Sequence, residues 1–264
     1  MPSRTYLIAG LAALALLVGA GVYFYSGNSG STIAAASAGA GCKPTGTFKL
    51  TDRDVLIGDP KAPVTFIEYV SLTCGHCAAF HTTVLPKIKE AYIDKGLVNY
   101  VVREFPLNNE ALAASVLTRC VPRENFNAFV GLIFEQQGNW MRSQDLRGAL
   151  KELSNRAGLG SDAFEACLAS IPNADAVRKT AKEGESMYCI KGTPTAVLNG
   201  RVLETKAIAN FEAFDEELRS EFKRLGKALP EPVMPAAAPA PAEPAAPVVG
   251  AEPGAPAQPA TPAP

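Results

Sequence analysis

Between residues 47 and 227 the apolar positions change their spacing several times, and the changes outline the elements. Asp54-Val55-Leu56-Ile57-Gly58 predicts a short strand closed by a turn. Pro63 to Val70 (PVTFIEYV) is rich in β-branched and aromatic residues and predicts a buried strand. From Gly75 the spacing turns helical. Phe80, Val84, Ile88 and Tyr92 share a face, Gly96 ends the run, and Pro86 inside it predicts a kink. Leu97 to Phe105 (LVNYVVREF) predicts a second strand, so the segment reads as a right-handed βαβ unit with parallel strands. A block with helical spacing only follows, at about 107–188: Asn109–Arg119, Glu124–Gln136, Gln144–Ala157, Asp162–Ala169 and Asn173–Met187. Pro122, Gly138, Gly158, Gly160 and Pro172 punctuate it. Strand signals return at Thr195–Leu198 and Arg201–Glu204 around Asn199-Gly200, a strong two-residue hairpin signal. An amphipathic helix after Asn210 closes the pattern with Phe211, Phe214, Leu218 and Phe222. The class is α/β, with a helical block inserted between βαβ and hairpin–helix halves.

The two ends of the 264-residue chain follow a different logic. Residues 6–25 carry no charge and are long enough to cross a bilayer as a helix, with Arg4 before them and Tyr23-Phe24-Tyr25 at the far end. Residues 1–25 are expected to be a membrane anchor, or else a cleaved signal with Ala36-Ser37-Ala38 as its small-residue site; either exports the rest of the chain. Residues 26–46, rich in Gly, Ser and Ala, predict a flexible stalk. Residues 228–264 are mostly Pro and Ala with three Glu, which predicts a disordered, polyproline-like tail. Residues 47–227 remain for one well-buried domain. A net charge of −1 argues against a nucleic-acid surface, and no segment reads as a dimerisation element, so a monomer is expected. Six cysteines in an exported chain can form disulfides.

The candidate chemistry lies where the buried strand meets the first helix, at Cys74-Gly75-His76-Cys77. Free N–H groups and the dipole of a helix N-terminus favour a thiolate at Cys74. Cys77, one turn in, is shielded. Cys74 is therefore expected to attack a substrate sulfur, and Cys77 to resolve the mixed disulfide. His76 can hold positive charge near the Cys74 sulfur. Glu68, six residues earlier in an apolar run, is expected to be a desolvated acid that exchanges a proton with Cys77, unless it points to solvent on the alternate face. Gly192-Thr193-Pro194-Thr195 predicts a cis-Pro loop against the cysteines, where Thr193 would offer backbone groups to an extended peptide; the alternative is a Pro opening an edge strand. Such exchange needs no cofactor. A metal site of Cys74, Cys77, His81 and His76 is the rival, weakened by the lack of a second Cys-x-x-Cys.

The order of Glu68, Cys74-Gly-His-Cys77, Arg103-Glu-Phe-Pro106, a helical insertion and Gly192-Thr193-Pro194 resembles the DsbA family of the thioredoxin superfamily. It is most similar to the DsbA-like, Com1-like branch of alphaproteobacteria. The resemblance implies a thioredoxin fold interrupted by a helical domain. It also implies donation of disulfides to reduced or misoxidised exported proteins in the periplasm, with a DsbB-like quinone-coupled membrane protein resetting the pair. Cys74 carries over as nucleophile, Cys77 as resolving cysteine, Glu68 as buried acid and Thr193-Pro194 as the cis-Pro loop. Gly75 stands where DsbA-type proteins usually have Pro. Gly75 and Thr193 resemble disulfide isomerases, so isomerase or reductase is the alternative direction, and a redox-inert envelope scaffold the alternative class. Cys120 and Cys167 are either buried thiols or, as in alphaproteobacterial relatives, a structural disulfide, and the latter is expected. Cys189 could bond Cys42, or Cys42 could be free.

Overall fold

The computed structural model describes residues 42–230. The expected anchor at 6–25, the stalk up to residue 41 and the tail from 231 onward lie outside the described residues. Among the described residues no helix is long and apolar enough to cross a membrane.

A five-stranded mixed sheet forms the centre: β1 (Leu56–Ile57), β2 (Val64–Val70), β3 (Val98–Glu104), β4 (Thr195–Leu198) and β5 (Arg201–Val202), in the order β1-β3-β2-β4-β5. β2 and β3 run parallel with Phe66 opposite Tyr100, and the other pairings are antiparallel. Every residue of β2 and β3 is buried, which explains their near-continuous apolar composition. On one face Val64, Phe66 and Val70 pack with the helix that follows β2 and with Phe214 and Leu218 of the last helix (Phe211–Arg224). On the other, Ile67, Tyr69, Val101 and Val197 pack with Tyr188. Asn199 and Gly200 both have positive φ, as a tight two-residue turn requires. A Cβ on Gly200 would sit 2.5 Å from the Gly46 carbonyl oxygen.

The helix after β2, α1 (75–93), is not uniformly α. It runs as an α turn (Gly75–Ala79), a π turn (Phe80–Val84), an α turn (Leu85–Ile88) and a second π turn (Lys89–Ile93). The predicted kink at Pro86 thus takes the form of a π turn directly before it. Leu85 N–H reaches back to Phe80 O, and the widened turn accommodates a ring that has no N–H of its own. The spacing of the buried face has the same cause. Phe80, Val84, Ile88 and Tyr92 recur every four residues, which in a regular α-helix would turn the stripe by about 40° per step away from the core. Two π turns undo that drift, and all four side chains are buried.

The inserted block contains α2 (Asn109–Thr118), α3 (Phe126–Glu135), α4 (Gln137–Trp140), α5 (Leu146–Arg156), α6 (Ser161–Leu168) and α7 (Ile171–Tyr188). Two of the expected breaks fall inside helices. Gly138 lies within the short helix α4, which seats buried Trp140 with its indole N–H on Ile133 O. Pro172 occupies the first turn of α7, where its missing N–H is harmless, and the Ser170 side chain caps that end. Strand β5 stops at Val202, short of the expected Glu204, and a 3₁₀ turn at Thr205–Ile208 follows.

Cys120 and Cys167 are bonded to each other within the helical block. Cys42 is bonded to Cys189, the left-handed residue that ends α7. Thr45 N–H also donates to Met187 O at 2.9 Å. Residues 42–46, the last of the expected stalk, are therefore fastened along the end of α7, because a covalent bond and a backbone hydrogen bond hold them there.

Candidate active site

Cys74 is the N-cap of α1, with extended backbone (φ −81°, ψ 118°) and no side-chain cap of its own. The junction is held from three directions. Cys74 N–H donates to Ser71 O at 2.9 Å. Gln137 Nε2 donates to Leu72 O and Cys74 O at 2.9 and 3.1 Å. Asn108 Oδ1 accepts from Thr73 Oγ1 at 3.3 Å. The Cys74 sulfur is half-buried and Cys77 fully buried, and both are free thiols.

The two sulfurs have opposite electrostatics. A hydrogen bond from the Cys77 thiol, then one from the Thr193 side chain and the backbone N–H groups of Cys77 and His76, outweigh burial and hold the Cys74 thiol at about 5. Giving its hydrogen to Cys74, burial and the nearby charge of Glu68 all push the Cys77 thiol far above its ordinary value. One sulfur is thus ready to leave or attack as a thiolate, while the other needs a proton whenever it is released.

Thr193–Pro194 is a cis peptide bond. The loop meets the cysteines, since the Cys74 thiol donates to Thr193 O at 3.3 Å. Thr193 Oγ1 is buried with no partner while Cys74 is a thiol. The same hydroxyl is a donor that favours the Cys74 thiolate. An apolar groove of about 290 Å³ runs alongside, with Phe80, Val84, Pro194 and Ile208 in its walls and His76 and Thr193 at its edge.

Glu68 is completely buried. Both faces of β2 are covered, so its alternation delivers it to the α1 face and not to solvent. Its Oε2 accepts from the Tyr100 hydroxyl and lies 3.0 Å from His81 Nε2; its Oε1 is buried without a partner. His81 is therefore engaged with Glu68 and Tyr100, away from the metal arrangement weighed above.

The profile of a thioredoxin family matches residues 50–216. A Rickettsia prowazekii protein assigned by name to the protein-disulfide oxidoreductases is 34% identical over 189 residues, 67% of this chain and 66% of the relative's length. Disulfide bond formation protein D of Bacillus subtilis is 26% identical over 174 residues, 64% of this chain and 77% of that one. The crystal structure of Wolbachia pipientis alpha-DsbA1 superposes with a TM-score of 0.58 at 30% identity, covering 66% of this chain and 94% of that one. The chain belongs to the DsbA-like thioredoxins.

In this DsbA-like chain the residues singled out in the sequence divide into those brought together and those left apart. Cys74, Cys77, Thr193 and Pro194 converge, and Glu68 acts on Cys77 through its charge. His76 contributes its backbone N–H to the Cys74 sulfur, whereas its side chain is exposed on the rim of the groove. The backbone dipole at His76 thus joins the other free N–H groups of the helix end in favouring the thiolate. Cys120 and Cys167 stay within the helical block. Three residues near the site were not foreseen in a site role. Tyr100 could have been suspected as a phenol in an apolar run, on the same strand face as Val98 and Val102. His81, one turn beyond Cys77, carries only the pattern of a metal ligand in the sequence. Gln137 carries no local signal, since its partners lie more than 60 residues away.

Proposed function

We propose that this protein donates disulfide bonds to reduced or misoxidised exported proteins in the periplasm, using Cys74–Cys77 as its redox pair. The observation that carries the proposal is the asymmetry of the two sulfurs: Cys74 at about 5 and half-exposed, Cys77 raised and buried. A stable Cys74 thiolate stabilises the reduced enzyme and so makes its disulfide an oxidant. A substrate thiolate attacks the Cys74 sulfur, the Cys74–Cys77 bond breaks, and Cys77 leaves and takes up a proton. The second substrate thiol then displaces Cys74 as a thiolate. The substrate loses two electrons and gains a disulfide. The groove beside Cys74 suits an extended peptide with apolar side chains, and the backbone of Thr193 suits its main chain.

Glu68 is assigned as the acid that serves Cys77, and the Cys120–Cys167 and Cys42–Cys189 bonds as structural. The layout proposed is an N-terminal anchor or signal at 1–25, a short stalk, the DsbA-like domain at 47–227 with its insertion at about 107–188, and a tail from 228. A DsbB-like quinone-coupled membrane protein is the proposed reoxidant, and the working form a monomer. Gly75 and Thr193 favour an isomerase as the second reading. The test is oxidation of a reduced dithiol peptide by the full-length protein, set against rescue of scrambled ribonuclease. Fast peptide oxidation that disappears in Cys74→Ser supports the proposal. Fast rescue with slow peptide oxidation replaces it with the isomerase, and inactivity in both assays points to the scaffold.

A further inference from the structure

Glu68 has no direct route to water. It is completely buried, and its hydrogen-bonding neighbours are the Tyr100 hydroxyl and His81 Nε2. Tyr100 borders open space but is only 1% exposed, so the water-facing member of the cluster is the partly exposed His81. It lines a cavity of about 330 Å³ on the side of α1 away from the peptide groove. Leu85, Tyr100, Val130 and Gly131 form other parts of the wall, and exposed Pro86, Lys89 and Ala128 open it to solvent. The His81 ring is fixed in place, 4.3 Å from the Phe134 ring of α3 and 3.2 Å from the Tyr100 hydroxyl.

We infer that His81 relays protons between this side cavity and Glu68, so that Cys77 exchanges its proton with water through a path that does not cross the peptide groove. The inference rests on the proposed role of Glu68 toward Cys77. During attack on Cys74 the substrate peptide covers the cysteines, and Cys77 leaves as a sulfur that needs a proton. Glu68 gives one to Cys77, takes one from His81, and His81 takes one from water in the cavity. The reverse path discharges the proton when the pair is reoxidised. An imidazole can accept on one ring nitrogen and release from the other, which a simple hydrogen-bonding residue cannot do. The groups against His81 are Glu68 from β2, Tyr100 from β3, Phe134 from α3 and the neighbouring Phe80 ring of α1. Lys89, two turns further along α1 on the same cavity, is paired with Asp94.

The experiment is single-turnover reduction of the oxidised full-length protein by dithiothreitol, read by rapid acid quench and thiol alkylation. His81→Ala is expected to slow the reaction roughly 100-fold or more, and added imidazole to restore much of the rate by occupying the cavity. Gly131→Leu plugs the cavity from the facing helix, where a Cβ meets nothing within 4 Å. It should slow the same step while leaving His81 in place, and imidazole should not rescue it. Its equilibrium with glutathione should stay within threefold of wild type, because only the path of the proton changes. Wild-type rates in both variants, or a slow His81→Ala that ignores imidazole, overturn the inference. If His81→Ala does not fold, Gly131→Leu decides alone, and an unchanged rate overturns it. Dithiothreitol exchange asks nothing of biological direction. A wild type that exchanges with it yet leaves the dithiol peptide unoxidised refutes the proposed function and still reads the relay.

Discussion

Replacing Thr193 by Val tests the origin of the low Cys74 value with almost no change of shape. The hydroxyl lost is the one whose hydrogen bond favours the thiolate and which is otherwise buried without a partner. A hydrogen bond to a charged group contributes about 1.5–3 kcal/mol. The Cys74 sulfur is half-exposed, so water replaces part of that, and about 1.4 kcal/mol remains after discounting for solvent. That energy corresponds to about one pH unit, which moves the Cys74 midpoint from about 5 to about 6. At pH 7 both forms are mostly thiolate, and the reduced enzyme loses roughly 1.3 kcal/mol, making the disulfide about 30 mV less oxidising. Thiolate absorbance against pH on the reduced protein reads the first number, and equilibration with glutathione buffers reads the second. Thr193→Ser should lie near wild type. A Val variant whose midpoint stays at about 5 would show that the helix-terminal N–H groups and Cys77 suffice, and would refute the role of the hydroxyl.

Three further outcomes follow from the same structure. The Cys120–Cys167 bond spans 47 residues, so Cys120→Ala with Cys167→Ala should cost about 4 kcal/mol and lower Tm by about 10 °C with activity retained; an unchanged Tm in calorimetry would contradict the structural role. Gly184→Ala should destabilise by about 1–2 kcal/mol in urea titration despite the better helix propensity of Ala, because its Cβ would lie 2.6 Å from the Tyr69 ring. The depressed Cys74 value gives the reduced protein a stability advantage that is complete above the ordinary thiol value near 9 and lost as pH falls through about 5. The Tm of the reduced form minus that of the oxidised form should therefore grow from pH 5 to pH 8, and a flat difference would refute the assignment.

The sheet was legible because its residues obey local rules. PVTFIEYV and LVNYVVREF are apolar on both faces since both faces are covered, and Asn199-Gly200 supplies the two positive φ angles of a tight turn. The redox pair was legible because a Cys-x-x-Cys at a strand-to-helix junction places one sulfur on free N–H groups. What escaped the sequence depends on contacts distant in the chain. The every-fourth-residue stripe of α1 reads as an ordinary helix until the two π turns that keep it buried are seen. Glu68 left two faces open, and only the helices covering β2 chose between them. At His76 the backbone N–H is one of the helix-terminal groups that the strand-to-helix junction already implied.

The bond between Cys42 and Cys189 changes what a cut in the chain would do. A protease that severs the backbone anywhere from Lys43 to Lys49 normally frees whatever lies upstream. Here the upstream segment stays covalently attached through a sulfur bridge to the end of α7. If residues 6–25 hold the protein to a membrane, shedding the domain by such a cut needs a reductant as well as a protease. An intact catalytic body could then be nicked and still remain at its post.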